Sequence, residues 1–295
     1  MRLNITHLLA ITIIALCGST GTAQTRFKLD KKNGHYYIST TVNGVPDTEI
    51  FVESGLPGMM LDEVRFKRIL GDLPLDTLGA HREMLMSDQA NHRLINVFEG
   101  EVSIGGLRYN GKIYLVDNYD KLGVPIHRLK NNTDSTANLI RLNFKSDMLD
   151  FVSRDSIDGK RTHVYQITNF SPMPIIETTM ELADTYGHNG KLTGRMVFDL
   201  GAGTAVYLFR KNVTNFLKKH KFKVAKAKDK VTGKVVGEGI FAGSCKLGDR
   251  TIYGTSVGIT NRLWREDSFG CVGTKFFKNG TIAIDPDNMR LLYWE

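Results

Sequence analysis

The feature that most constrains the fold of this chain is an internal duplication with a long period. Residues 48–69, TEIFVESGLPGMMLDEVRFKRI, parallel residues 194–216, GRMVFDLGAGTAVYLFRKNVTNF. Each segment contains an apolar strand, an acid, a small-residue turn with glycine, a second apolar strand and a short helix with basic residues. Glu53 and Asp199 hold the same place, 146 residues apart. The chain is therefore predicted to contain two related units.

Two further correspondences extend the duplication in the same order. Residues 101–117 match residues 243–260, and residues 134–151 match residues 267–284 at a constant offset of 133. The second match places Ile140 where Gly273 stands in the other unit. We predict two lobes, residues 24–157 and 158–295, joined by the polar stretch SRDSIDGKRT.

Both units have the sequence pattern of β-structure. Short β-branched or aromatic runs such as HYYISTTV, TEIFVE, LRYNGKIYLV, GRMVFDL and TIYGTSVGIT are separated by Asn-Gly, Thr-Gly and Asp-Asn turns. Helical periodicity is confined to residues 61–70 and 210–219. The chain is predicted to be mainly β.

A duplicated β chain with one acid per unit on a glycine turn resembles the pepsin-like and retropepsin-like aspartic proteases. DLGA at 199–202 is similar to their Asp-Thr-Gly-Ala/Ser loop. GCVG at 270–273, with the following FF at 276–277 and ID at 284–285, is similar to the helix and strands that pack behind that loop. The resemblance implies a bilobal fold of two related, barrel-like β lobes with short helices and a cleft between them.

The resemblance also implies a catalytic acid pair, Asp199 and Glu53, with one carboxyl from each lobe. In that family the two carboxyls share one proton, because both cannot be ionised at so short a distance. The ionised acid takes a proton from water, and the other protonates the scissile carbonyl oxygen. A hydroxyl after each acid hydrogen-bonds to the opposite loop, and glycine follows where the two backbones approach closely. The supporting loop residues so implied are Ser54, Gly55, Leu200, Gly201 and Ala202.

Two departures from the family pattern bear on activity. Glu53 is one methylene longer than Asp, and Leu200 stands where the second locking hydroxyl belongs. A displacement of about 1 Å at a reacting group costs on the order of 100-fold in rate. The resemblance therefore implies an exported aspartic-peptidase-like hydrolase of low activity. The alternative is a non-catalytic pseudo-protease that binds extended peptides or a protein partner in the cleft.

A binding module would hold an extended peptide by strand-like pairing under a flap hairpin. Candidate flaps are residues 79–97 and 226–239, and in the first the apolar run 84–86 would cover the site. Asp199 also has a plainer interpretation, as a turn carboxylate that caps backbone N–H groups. DLGAGT is also similar to a phosphate loop of the actin and heat-shock ATPases, but only 96 residues follow Asp199, little room for their nucleotide subdomains.

The N-terminus has the order of a secretory signal. Arg2 precedes an apolar run at 8–16, and small residues precede Gln24. We predict a signal peptide at residues 1–23 and a secreted or periplasmic protein. A lipid anchor at Cys17 is the weaker alternative, because Leu16 stands where a lipoprotein box has a small residue. N-terminal sequencing of the exported protein that returned Met1 would contradict the signal-peptide prediction.

The net charge of +8 comes largely from the lysine-rich residues 218–234. Lysines alternate there with Phe222, Val224 and alanines, which is typical of an exposed edge strand protected by lysines. Stacking aromatics do not accompany them, so we expect no nucleic-acid partner. No later stretch is apolar enough for stable membrane insertion. The expected partner is a peptide or protein substrate or ligand, and the chain is expected to be a monomer.

Cysteines and histidines give no metal pattern. Cys245 and Cys271, which remain after removal of the leader, are interpreted as buried apolar thiols or as a disulfide; the buried thiols are the favoured interpretation. The eight histidines are scattered and are expected on the surface. We therefore expect neither a metal nor another cofactor.

Overall fold

A computed structural model of the chain describes residues 25–71, 82–85, 91–157, 160–170, 173–202, 204–261, 265–278 and 280–295, with 82–85 and 91 described by their backbone alone. The predicted signal peptide lies outside the described residues. So do most of the first candidate flap and the side chains of the apolar run 84–86. No helix among the described residues is both long and apolar enough to cross a bilayer.

The first half of the described chain is built from strands, with one helix between the fifth and sixth. Its elements are β1 Arg26–Lys28, β2 Asp30–Lys32, β3 His35–Val42, β4 Val45–Glu53, β5 Met59–Leu61, α1 Glu63–Leu70, β6 Arg82–Leu85, β7 Asn91–Ile104, β8 Leu107–Val116, β9 Gly123–Pro125, β10 Leu129–Asn131, β11 Leu139–Asn143 and β12 Met148–Val152. A 3₁₀ turn, Ile126–Arg128, follows β9, and another, Arg154–Ser156, follows β12. Helix α1 begins where the Asp62 carboxylate accepts a hydrogen bond from Arg65 N at 2.7 Å.

The second half repeats this plan. Its elements are β13 His163–Asn169, β14 Ile175–Asp184, β15 Asn189–Asp199, β16 Val206–Phe209, α2 Arg210–Lys219, β17 Ala225–Lys228, β18 Val235–Leu247, β19 Arg250–Thr260, β20 Gly270–Gly273, β21 Thr281–Asp285 and β22 Arg290–Trp294, with a 3₁₀ turn at Thr274–Phe277. The helices fall where periodicity predicted them. The prediction of a mainly β, bilobal fold is confirmed.

The described strands form two sheets that organise the lobes. A nine-stranded sheet contains β2–β10, all from the first half. A thirteen-stranded sheet runs through the second half and also takes β1, β11 and β12 from the first. The two halves join where β11 pairs with β21 in antiparallel register, Ile140 opposite Ile284 and Leu142 opposite Ile282. The β11–β21 pairing, near one end of the thirteen-stranded sheet, therefore ties the two halves together.

Strand registers confirm the first two internal correspondences. Strand β4 runs parallel to β9, and β15 runs parallel to β20 in the same way. Strand β5 runs parallel to β8 with Met60 opposite Tyr114, and β16 runs parallel to β19 with Val206 opposite Val257. Each lobe thus presents its acid at the end of a buried strand, and a parallel strand lies beside that end.

The third correspondence was wrong in register. The hairpin β11–β12 repeats as β21–β22, and the turn residues with positive φ, Asp147 and Met289, are 142 residues apart rather than 133. Glu53 lies opposite Pro125, whereas Asp199 lies opposite Gly273. Pro125, not Ile140, therefore takes the place of Gly273 in the first lobe. Ile140 lies instead in the sheet that joins the two lobes.

Three smaller predictions can be compared with the structure. Cys245 and Cys271 are both buried free thiols, as favoured, and burial raises the pKa of Cys245 to about 12. Strand β17 is the exposed, lysine-bearing edge of its sheet, also as predicted. The expectation of surface histidines is wrong for His92 and His127, which are buried; burial lowers the pKa of His127 to about 3.

Candidate active site

The two acids stand at the ends of equivalent strands, one in each lobe. Glu53 is the last residue of β4 and Asp199 the last of β15. Three apolar residues precede each acid along its strand, IFV before Glu53 and MVF before Asp199, and all of them are buried, so the core holds both faces of the strand ends. Each carboxyl is about as buried as the core itself, with 1% of either residue exposed.

The two carboxyls meet at one backbone N–H group. Gly201 N lies 2.8 Å from Asp199 Oδ1 and 3.2 Å from Glu53 Oε1, so both acids accept from the same donor. Two buried carboxyls held this close repel each other when both are ionised, so the pair favours a state with a single proton. The geometry is therefore the one that an acid pair sharing a proton requires.

The electrostatics of the pair agree with this arrangement. Burial raises the pKa of Glu53 well above its ordinary value, and the charge of Asp199 and the hydrogen bond to it raise the pKa further. Burial also raises the pKa of Asp199, while hydrogen bonds from Glu53 and from backbone N–H groups, and the charge of His35, offset part of that rise. Because both pKa values are raised, the pair keeps a proton to a higher pH than two separate exposed carboxyls would.

Ser54 locks the first loop to the second. Its hydroxyl accepts from Leu200 N at 2.8 Å and donates to Phe198 O at 3.1 Å, and the residue is fully buried. This is the cross-loop bond that the resemblance implied for a hydroxyl after the acid. Leu200 makes no reciprocal bond with its side chain, which is buried in the apolar core.

Glu53 itself takes the place of the missing second hydroxyl. By the two-fold relation of the lobes, a hydroxyl at position 200 would accept from Ser54 N. That N–H instead donates to Glu53 Oε1 at 2.7 Å, and Gly55 N donates to the same oxygen at 3.0 Å. The extra methylene of Glu53 lets its carboxyl fold back onto its own loop. The two departures in sequence therefore compensate each other.

The glycines of both loops stand where a side chain has no room. A Cβ at Gly201 would collide with the carboxyl of Glu53, and a Cβ at Gly55 would collide with Cε of Met173. Ala202 is buried against Gly273, whose own Cβ would meet the carbonyl oxygens of Ala202 and Thr204. All seven residues singled out from the sequence, Glu53, Ser54, Gly55, Asp199, Leu200, Gly201 and Ala202, are thus brought together.

Three residues at the site were missed by sequence reasoning. Pro125 flanks Glu53 through the β4–β9 pairing. The β3–β4 register, Tyr36 opposite Val52, continues to place His35 beside Glu53. The β14–β15 register likewise continues to place Met173 beside Asp199. The signal that could have found His35 and Met173 is their distance from the acid across the preceding hairpin, which is visible only once the register is known.

Metal binding has no candidate at this site or elsewhere in the part of the chain that the structure describes. No three or more His, Cys, Asp or Glu side chains group there as metal ligands would.

Comparison with known proteins bears on the fold. No protein-family model matches the chain, and no curated protein matches it in sequence. Among solved structures the chain is similar to the aspartic proteinase from Irpex lacteus, with a TM-score of 0.57 and 13% sequence identity over 92% of this chain and 97% of that chain. At this identity the likeness is one of fold alone. The chain thus has an aspartic-protease-like fold.

Proposed function

We propose that the chain is an aspartic-peptidase-like hydrolase that cleaves peptide bonds with the Glu53–Asp199 pair. The observation that carries this proposal is that two buried carboxyls from different lobes accept hydrogen bonds from one donor, Gly201 N. A protein that only bound peptides would have no need to bring two acids into contact, because their mutual repulsion and burial both cost stability.

The acid pair would divide the work by protonation state. Asp199, ionised, takes a proton from the attacking water, and protonated Glu53 gives its proton to the carbonyl oxygen of the substrate. Ser54 acts as a positioning residue, because its two cross-loop bonds hold one acid relative to the other. Since the pKa of both acids is raised, the active state extends to less acidic pH than an unperturbed pair would allow. Activity rises as Asp199 ionises and falls as Glu53 loses its proton.

A second candidate function is a non-catalytic peptide-binding protein, and the burial of the site favours it. Only 1% of each acid is exposed, whereas a working pair must admit water and a peptide carbonyl. In this alternative the two acids serve to hold the lobes together, and the interlobe cleft is used for binding alone.

The test compares wild type with Asp199→Asn and with a matched control, Asp249→Asn, which changes an exposed residue of the same type in the turn between β18 and β19. Each protein is incubated with a mixed peptide pool between about pH 3 and pH 7, a range that spans the ordinary carboxyl pKa and its raised values, and products are read by mass spectrometry. Asp199→Asn should abolish cleavage, and the control should leave it intact. Cleavage that survives Asp199→Asn would rule out the acid pair. A silent wild type that binds peptides would favour the binding protein.

The signal peptide predicted at residues 1–23 fits this function, and we propose that the hydrolase works outside the cytoplasm. N-terminal sequencing of the exported protein, starting at Gln24, tests that part separately.

A further inference from the structure

Nearly all of the net charge of the chain is concentrated in one surface segment, residues 218–234, here called the basic segment. It contains eight lysines and one aspartate, a net charge of +7 out of +8 for the whole chain. All eight lysines are exposed. Across the described residues none of them takes part in an ion pair, although cations just outside the segment, such as Arg210 and Lys211, do so. The segment is therefore an unneutralised cationic surface.

Three exposed valines lie at the tip of the hairpin in which this segment ends. The hairpin consists of β17, the turn 229–234 and the start of β18. Val231 at the turn is 93% exposed, Val236 is 68% exposed and Val235 is 49% exposed. Large apolar side chains at such exposure gain nothing from the fold, and grouped at one tip they mark an interaction site.

The turn holds these valines outward in a defined shape. The Asp229 carboxylate accepts from Val231 N at 3.1 Å and from both Thr232 N and Thr232 Oγ1, and Asp229 N donates to Lys234 O at 2.8 Å. Gly233 supplies the positive φ, 68°, that closes the turn. The tip is thus ordered before any partner is bound, which lowers the entropy cost of binding.

An apolar tip with lysines around it limits which class of partner can bind here. Lysines alone would suit any polyanion, but a nucleic acid or an acidic protein surface gives exposed valines no apolar environment. Residues 225–239 contain no aromatic side chain on which a base could stack. A membrane with anionic headgroups offers both parts at once: charge at the surface and an acyl boundary just below it.

We propose that the hairpin of β17, the turn 229–234 and the start of β18 docks the protein on an anionic phospholipid surface. Its exposed valines enter the interfacial layer, and the lysines of the basic segment contact the headgroups. The docking is peripheral and does not depend on peptidase activity. Because the lysines supply the attraction and the valines the insertion, both must contribute, and salt must weaken the binding by screening the lysines.

The experiment measures cosedimentation of the full chain with vesicles of phosphatidylcholine and of a phosphatidylcholine–phosphatidylglycerol mixture. The lysine variant Lys228→Gln/Lys230→Gln/Lys234→Gln is compared with Lys130→Gln/Lys145→Gln/Lys275→Gln, which removes the same charge from exposed positions elsewhere. The tip variant Val231→Ser/Val236→Ser is compared with Val64→Ser/Val164→Ser, which changes exposed valines on other elements.

We expect wild type to bind the mixed vesicles and not phosphatidylcholine alone. The lysine variant should bind about 100-fold more weakly, since each of its three lysines near an anionic surface contributes about fivefold in affinity. The tip variant should bind several-fold more weakly, and both controls should bind like wild type. If the two lysine variants lost vesicle binding equally, the binding would depend on net charge alone, and the proposal would be overturned. Wild-type binding that is insensitive to the tip variant, or that is matched by soluble polyglutamate, would also overturn it.

Discussion

At the scale of single residues, the site shows two substitutions that make sense only together. Glu53 is too long for the usual loop, and Leu200 lacks the usual hydroxyl, so each looks like a defect in the sequence. In the structure the longer side chain of Glu53 compensates for the missing hydroxyl, because Glu53 Oε1 accepts the hydrogen bond from Ser54 N that a hydroxyl at position 200 would accept. The sequence showed both departures, but their coupling lies in a contact between residues 146 positions apart.

The pair Glu53→Asp and Leu200→Thr tests this coupling. Glu53→Asp alone leaves the buried Ser54 N–H without its acceptor, which costs about 1–3 kcal/mol of unfolding free energy. Leu200→Thr alone loses apolar packing and offers a hydroxyl to an N–H already in use. Together the new hydroxyl accepts from Ser54 N, so the double variant should be at least about 1 kcal/mol more stable than the sum of the single changes predicts.

Urea unfolding of the four proteins measures the coupling, and peptide cleavage should rise in the double variant, whose acid is shorter and whose loops are locked on both sides. A control cycle pairs Glu53→Asp with Leu208→Thr, a buried leucine on β16 that does not follow the acid. If the unfolding free energies of Glu53→Asp and Leu200→Thr add as they do in the control cycle, Glu53 does not compensate for the missing hydroxyl at position 200.

At the scale of secondary-structure elements, the sequence predicted the helices, the duplication and the loops of the site. It failed in the register of the closing hairpins. The closing strands are short and buried along most of their length, so they lack the polar–apolar alternation that would distinguish an offset of 133 from one of 142. What decides is tertiary pairing: β11 must lie beside β21 and β9 beside β4. The residues missed at the site, Pro125, His35 and Met173, were missed for the same reason.

Gly273 is the element-level position at which the register has the sharpest consequence. It pairs with Asp199, and an added Cβ would meet the carbonyl oxygens of Thr204 and Ala202 rather than a movable side chain. Gly273→Ala should therefore destabilise the protein by about 1–3 kcal/mol and displace the second loop. Gly243→Ala, on the exposed face of β18 with only ordinary contacts, is the matched control. Thermal unfolding measures both, and equal melting temperatures for the two variants would contradict the assigned register.

At the scale of the whole molecule, a pair of buried acids joins two lobes that are also tied by the pairing of β11 with β21. The pKa of each acid is raised in the folded protein, mainly by burial. An acid whose pKa is higher in the folded than in the unfolded chain binds more protons when folded. Its contribution to stability is complete below the unfolded pKa and is lost as pH rises toward the folded pKa. The site should therefore weaken the fold as pH rises from acidic to neutral.

Glu53→Gln should remove most of this loss. The amide keeps an oxygen for Ser54 N and Gly55 N, offers an N–H to Asp199, and has no proton to lose. Near pH 3 the side chain at position 53 is neutral in both wild type and variant, so their melting temperatures should agree. Near pH 7 the variant should melt more than about 2 °C higher than wild type. A stability difference of about 1 kcal/mol produces such a shift in a chain of this size. Glu49→Gln, a glutamate on the exposed part of β4, controls for the loss of a carboxyl. A melting-temperature difference between Glu53→Gln and wild type that is independent of pH would mean that Glu53 carries no raised pKa, and with it no shared proton.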